Sequence, residues 1–371
     1  MVVEVGDRTA TLALDKLIKH QEWDQVYERL ESSPADEAAQ KLILPSHQWT
    51  MFHWLCSMGS APPALIALIA SLCPKAIILP DNKYGDTPLH IICRNSQTQA
   101  TKIKILLQHC PRTNGGQDLL IRNQFGGTIL HSASNHNARL EALEAIVTAE
   151  PKLLRVNTHE CIHAVTAMWL SYIQTIPGFM SVARILEGED ISGEGHFGRF
   201  WNKVEYLASA YFQQTAACPL EKSDNDDIYK YVLHGLIRCN VPINMFRVAL
   251  KRNPAWALVT DASGNLPLHL LVENRPYRLK EKEAIGALLD AAAQAAGVSN
   301  NCGDTALVLG IRNKMPWENG LDKILEAATS VVHLRDAETG LYPFQLSAAV
   351  GGKVAVDTTY HLLCTQPDLL R

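Results

Sequence analysis

The sequence predicts an all-α solenoid of stacked helix-turn-helix units with short hairpin fingers along one edge, and three observations in one phase predict it. A tetrapeptide suited to a helix start recurs, as Thr50-Met51-Phe52-His53, Thr87-Pro88-Leu89-His90, Thr128-Ile129-Leu130-His131, His163-Ala164-Val165-Thr166, Tyr231-Val232-Leu233-His234, Leu266-Pro267-Leu268-His269, Thr305-Ala306-Leu307-Val308 and Tyr342-Pro343-Phe344-Gln345. Successive starts lie 37, 41, 35, 68, 35, 39 and 37 residues apart. Gly85, Gly126, Gly264, Gly303 and Gly340 each stand two residues before such a start, where a tight turn needs backbone freedom. Pro34, Pro74, Pro111, Pro151, Pro254 and Pro367 each follow a start, Thr11 being the first, by 23 to 25 residues, where a second helix should stop.

Each residue type suits its place. Thr87 can cap a helix, Pro88 fits the first helical position where no backbone donor is needed, and Leu89 points inward. His90 can bond neighbouring backbone and hydroxyl groups and so tie one turn to the next. Asp81, Asn82, Asn123, Asn157, Asp261, Asn300 and Asp336, five or six residues before a start, suit a hairpin tip. The T-P-L-H stretch with these companions resembles the ankyrin repeat, and the resemblance covers almost the whole chain. Against that family's usual period of about 33 residues the spacing here is long. The extra residues fall between the helix-ending proline and the next glycine, so elongated loops or fingers are expected beside ordinary helix pairs.

Taken in order, residues 1–49 form an N-terminal capping repeat that opens at Thr11. Leu14, Leu17 and Ile18 mark its first helix, Trp23, Val26, Tyr27 and Leu30 its second, and Ser33-Pro34 its end. Repeats fill 50–186, an insertion 187–227, and further repeats with a C-terminal cap 228–371, about nine units in all. Within the insertion Phe197, Phe200, Trp201, Val204, Leu207, Ala208 and Tyr211 share one helical face. Acidic stretches (Glu187, Glu189, Asp190, Glu194; Glu221, Asp224, Asp226, Asp227) flank it. This aromatic face either packs on the stack or binds a partner.

Composition narrows the function. A net charge of −4 without a Lys/Arg cluster argues against nucleic acid and against an anionic membrane surface. The longest apolar stretch, Ala61 to Pro74, is too short to span a bilayer, and Met1 to Asp7 has no leader pattern, so a cytoplasmic, monomeric protein is expected. Nine cysteines without a C-x-x-C pair suggest no disulfide framework or zinc module. Cys56 and Cys93, like Cys73 and Cys110, are 37 residues apart and read as buried fillers of successive repeats.

One catalytic pattern occurs. His159-Glu160-Cys161-Ile162-His163 matches H-E-x-x-H, which on a helix places two histidines on zinc and a glutamate on the attacking water. The repeat phase puts Asn157 at a hairpin tip and His163 at a helix start, so these histidines should lie on a finger. A zinc hydrolase is therefore the alternative to the main expectation, a non-catalytic binding module without cofactor or metal. The resemblance implies the same: fingers and first helices together make an extended concave recognition surface for a protein partner. Seven and eight residues after the starts at Thr50, Thr87, Thr128, Tyr231, Leu266 and Thr305 stand Ser57/Met58, Arg94/Asn95, Asn135/His136, Arg238/Cys239, Glu273/Asn274 and Arg312/Asn313, the variable concave positions of the usual repeat. Tyr84 and Phe125 stand three residues before successive starts, at finger tips. Tyr84, Phe125, Arg94, Asn95, Asn135 and His136 are the expected partner-binding patch, with the alternative that the polar positions are ordinary solvated helix ends and the tip aromatics fold back onto the next finger.

Overall fold

The computed structural model describes residues 17–18, 20–32, 49–95, 100–112, 117–160, 162–175, 196–215, 230–274 and 280–365. Thr11, Leu14, Ser33-Pro34, Cys161, both acidic stretches of the insertion and Pro367 lie outside them. The chain divides into two compact units, Met1–Thr175 and Ile176–Arg371, so the aromatic helix of the insertion belongs to the second.

In the first unit α1 (Trp23–Ser32) buries Val26 and Leu30. Helix pairs follow: α2 (Met51–Ser57) with α3 (Pro63–Leu72), α4 (Pro88–Arg94) with α5 (Ala100–His109), α6 (Ile129–Asn135) with α7 (Leu140–Ala149), then α8 (Ala164–Thr175). First helices pack on first helices, α2 on α4, α4 on α6 and α6 on α8, while α3, α5 and α7 form a second row. The second unit opens with α9 (His196–Thr215). The pairs α10 (Val232–Arg238) with α11 (Ile243–Arg252), α12 (Pro267–Asn274) with α13 (Glu281–Ala291), α14 (Ala306–Arg312) with α15 (Leu321–Ala327) and α16 (Pro343–Val350) with α17 (Lys353–Thr365) follow in the same two-row arrangement as far as α16 and α15. No named strand occurs among the described residues; the isolated bridges Asn157 to His163 and Ser299 to Thr305 close two fingers.

The recurring tetrapeptide works as a capping box. Thr87 N donates to His90 Nδ1 at 3.2 Å, and His90 N donates back to Thr87 Oγ1. Thr50 with His53 and Thr128 with His131 repeat the first bond at 3.2 and 3.3 Å. Since Nδ1 accepts from a backbone N–H, the ring proton sits on Nε2. That Nε2 donates to the residue just before the next start: His53 to the Asp86 carbonyl at 3.0 Å, His90 to Gly127 at 3.3 Å, His131 to Ile162 at 3.1 Å and, in the second unit, His234 to Asn265 at 3.1 Å. His53, His90 and His131 thus cap their own helices and staple the base of the next finger, while His234 makes the staple alone.

The extra residues of the long repeat correct one expectation. They make a packed 3-10 turn after the second helix, and not an elongated loop: Pro74–Ile78, Pro151–Arg155, Pro254–Leu258, Ala293–Gly297 and Thr329–His333. These turns bury Ile77, Leu153 and Leu154, Ala257, Ala295 and Ala296, and Val331 and Val332. Pro74, Pro151 and Pro254 stop the helix, as the spacing predicts, and then occupy the first position of the turn, where their fixed φ is suited. Cys56, Cys73, Cys93, Cys110 and Cys239 are buried free thiols, and burial pushes Cys93 and Cys110 up to about 12.

Helix α9 resolves the two readings of the insertion. Phe197, Phe200, Trp201, Val204, Leu207 and Ala208 are buried, and the helix packs on α10. Its aromatic face is therefore core and not a partner surface, which corrects that alternative. The two helices are in close backbone contact at Gly235, where an added Cβ would stand 1.9 Å from the Ala208 carbonyl oxygen. Arg252 of α11 reaches Glu205 at 3.7 Å and so ties α9 to the repeats that follow.

Two predictions follow from these packing facts. Gly235→Ala should destabilise the protein by about 2 kcal/mol or more, because backbone meets backbone and neither helix can yield locally; denaturant unfolding measures it. Burial lowers the pKa of His90, His131, His163 and His234 from 6.5 to about 4, and lowers His53 and His269 as well. The unfolded chain takes up these protons near pH 6.5 and the folded chain does not, so stability is fully present above that pH and is lost as pH falls toward about 4. Unfolding free energy should drop by about 1.4 kcal/mol per pH unit for each such histidine, and His131→Gln should flatten the slope.

Candidate functional site

Three successive fingers of the first unit form a ladder. Asp81 and Asn123 open two of them with Asx turns: Asp81 Oδ1 accepts from Lys83 N and Tyr84 N, Asn123 Oδ1 from Phe125 N and Gly127 N. The fingers bond to one another through backbone, Gln124 N to Tyr84 O at 2.8 Å and His159 N to Phe125 O at 3.1 Å. Gly126 permits the second contact. Its φ is +74°, and a Cβ there would stand 2.7 Å from His159 N.

Beside these fingers lies a groove of about 620 Å³. From the fingers it is lined by Gln124, Phe125, Thr158, His159, Glu160 and Ile162, from the end of α6 by Asn135 and His136, and from α8 by Ala167, Leu170, Ser171 and Gln174. Phe125 is 61% exposed, against near-zero exposure for the repeat's own core. His136 Nδ1 donates to the Ser132 carbonyl at 2.9 Å, which makes Nε2 the acceptor nitrogen of the neutral ring. Ser171 Oγ donates to the Asn135 carbonyl and links α8 to the end of α6.

The six residues of the expected patch divide. Phe125, Asn135 and His136 line the groove. Tyr84 is half-buried against Phe125, ring centroids 6.2 Å apart and planes tilted by 31°. Arg94 and Asn95 do not line it and are engaged within the fold. Arg94 pairs with Asp86, whose side chain has no exposure, and Asn123 Nδ2 donates to the other Asp86 oxygen at 3.0 Å. Asn95 Nδ2 donates to the Ser57 carbonyl at 3.1 Å and so closes the end of α2. The second unit repeats both devices: Arg312 pairs with Asp304 at 2.8 Å, and Asn313 Nδ2 donates to the Val272 carbonyl at 3.2 Å. Sequence reasoning missed Asp86 and Asp304 and their partners. The signal was present in two Gly-Asp-Thr triplets, each with an arginine eight residues after its aspartate.

The H-E-x-x-H segment lies on a finger, as its phase predicts. His159 and Glu160 are exposed in the groove's tip, while His163 is buried and donates Nε2–H to the Leu154 carbonyl. The helical geometry that would aim both imidazoles at one zinc is not formed. Among the described residues no group of three or more His, Cys, Asp or Glu side chains is placed to hold a metal ion.

No protein-family model matches the sequence, and no curated protein matches it. Among solved structures 77 chains match. One is the ankyrin repeat domain of Bcl-3, described as a unique member of the IkappaB protein family; it aligns over 75% of this chain and 98% of its own at 15% identity, with a TM-score of 0.32. This is an ankyrin-repeat fold. That assignment rests on the repeated geometry above, the Thr/His capping box, the two rows of paired helices and the bonded fingers; the superposition is too loose to carry over any residue or partner. The ankyrin repeats here differ from the usual unit by the 3-10 turn that each long copy adds.

The Arg94 to Asp86 pair yields a stability prediction. Arg94→Ala should lower unfolding free energy by about 2 kcal/mol or more, since a buried carboxylate loses its cation. A folded variant of unchanged stability would return Arg94 to the list of recognition residues.

Proposed function

We propose that this chain is a non-catalytic protein-interaction module, and that the groove between the second and third fingers and helices α6 and α8 takes a segment of a protein partner. Exposed Phe125 at the mouth of that groove carries the reading. An aromatic ring in water beside a lined concavity gains from being covered, and such rings most often dominate interfaces. Tyr84, Asn135 and His136 extend the surface on either side. Arg94 and Asn95 support it from behind by holding finger and helix end in place.

The cytoplasm is the compartment this reading takes, and the buried free thiols support it, since reduced cysteines are the rule there. Among the described residues no helix is long and apolar enough to cross a membrane.

The test begins with cross-linking and affinity purification from native cells to identify a binder. Tyr84→Ala with Phe125→Ala should then weaken its binding by about 2 kcal/mol or more, at an unchanged melting temperature. Undiminished affinity in the folded double variant would remove the groove from the interface.

A further inference from the structure

In the second unit the helix pair α16 and α17 leaves open a face that its predecessors cover. Helix α11 buries Met245, Phe246, Val248, Ala249 and Leu250 and packs on α13, which packs in turn on α15. Helix α17 is longer and buries less, Ala355, Thr358 and Leu362, and it packs on α16 and on the turn Trp317–Asn319. Its open side carries Lys353, Val356, Asp357, Tyr360 and Cys364, all exposed and spaced by three and four residues, so that they form one stripe. Val356 is 72% and Tyr360 64% exposed, the two most exposed large apolar side chains among the described residues. The Tyr360 hydroxyl and the Cys364 thiol bond to each other along the helix, so covering the ring strands no polar group.

The charges on the stripe select the occupant. Lys353 Nζ has no partner among the described residues, and Asp357 meets His361 of its own helix at 3.5 Å. The His361 ring is in turn stacked on Trp317, centroids 5.0 Å apart. One cation and one anion thus stand a helical turn apart beside the same apolar pair. A partner segment of uniform charge would meet one of the two with its like. A second copy turned about a two-fold axis meets each with its opposite: antiparallel helices that cross at the level of Ala355 and Val356 set Lys353 of one beside Asp357 of the other, and Val356 against Val356. We infer that this stripe of α17 is a self-complementary interface on which a second copy of the chain lies with its own α17 antiparallel, in place of the monomer expected from the sequence. The stripe belongs to the second unit and the groove to the first, so the inference stands apart from the reading of the groove.

Sedimentation equilibrium of the full chain over a range of concentrations tests it. The average mass should rise with concentration from that of one chain toward that of two. Val356→Glu with Tyr360→Glu should move the midpoint of that rise about tenfold or more to higher concentration, at an unchanged melting temperature, since both side chains stand in water in the single chain. Lys353→Glu alone and Asp357→Lys alone should each weaken the dimer about threefold or more, and the two together should restore it, because the exchanged charges again meet their opposites. These reversals lie at exposed positions and decide the matter even where the glutamate pair unfolds the chain. A single chain at every concentration would overturn the inference, as would a dimer indifferent to the glutamate pair or to both reversals. A dimer in which the two reversals together do no better than either alone would overturn the two-fold pairing.

Discussion

The structure depends on a histidine kept neutral. At His53, His90 and His131 one ring nitrogen must accept the backbone N–H of the helix cap while the other donates to the carbonyl that begins the next repeat. Only the neutral ring does both, because the charged form has two donors and no acceptor. Burial enforces that state by making the charged form costly to hold. Local helix initiation and long-range stacking are thereby carried by one side chain. This explains why the threonine, the histidine and the glycine of the following finger keep a common phase while the rest of each repeat varies.

The arginine and asparagine that end the first helices show a second level of the same economy. Arg94 and Arg312 neutralise aspartates sunk at the finger bases, and Asn95 and Asn313 donate to the carbonyls that the preceding first helix leaves open at its end. A buried carboxylate is tolerable only with its cation and hydrogen bonds in place. Positions expected to serve recognition are therefore committed to support at Arg94 and Arg312.

How much could be read from the chain follows from the distance over which each feature is decided. Helix starts, turn glycines and helix-ending prolines are local matters. Gly85, Gly126, Gly264, Gly303 and Gly340 all adopt positive φ, and α4, α6, α12, α14 and α16 begin one residue after Thr87, Thr128, Leu266, Thr305 and Tyr342. The 3-10 turns were less legible, since a proline followed by a few apolar residues, as in Pro254-Ala255-Trp256-Ala257, fits a loop until a neighbouring helix supplies something to bury against. The groove was legible only in part. Phe125, Asn135 and His136 could be placed by counting from Thr128, but His159, Leu170 and Ser171 join them across the stack, from the following repeat. Leu170 and Ser171 stand seven and eight residues after the start at His163, as Asn135 and His136 do after Thr128, but only the packing of α6 on α8 shows that the two pairs share one groove.

The finger tips can vary because nothing in the finger's construction needs their side chains. Asp81 and Asn123 hold their turns through backbone donors, and adjacent fingers bond through Tyr84 O, Gln124 N, Phe125 O and His159 N, which any residue would supply. Replacing the side chain at Phe125 leaves that ladder untouched, whereas replacing Gly126 would push the next finger away. An exposed aromatic ring at such a place has no structural debt to the fold. Burying it can contribute to binding without first breaking a contact, since the groove beside it is built by residues already held by their own hydrogen bonds. On the proposed reading, the packed helices behind the ring would lose little freedom on binding, so that most of the gain from covering a single open ring would be kept.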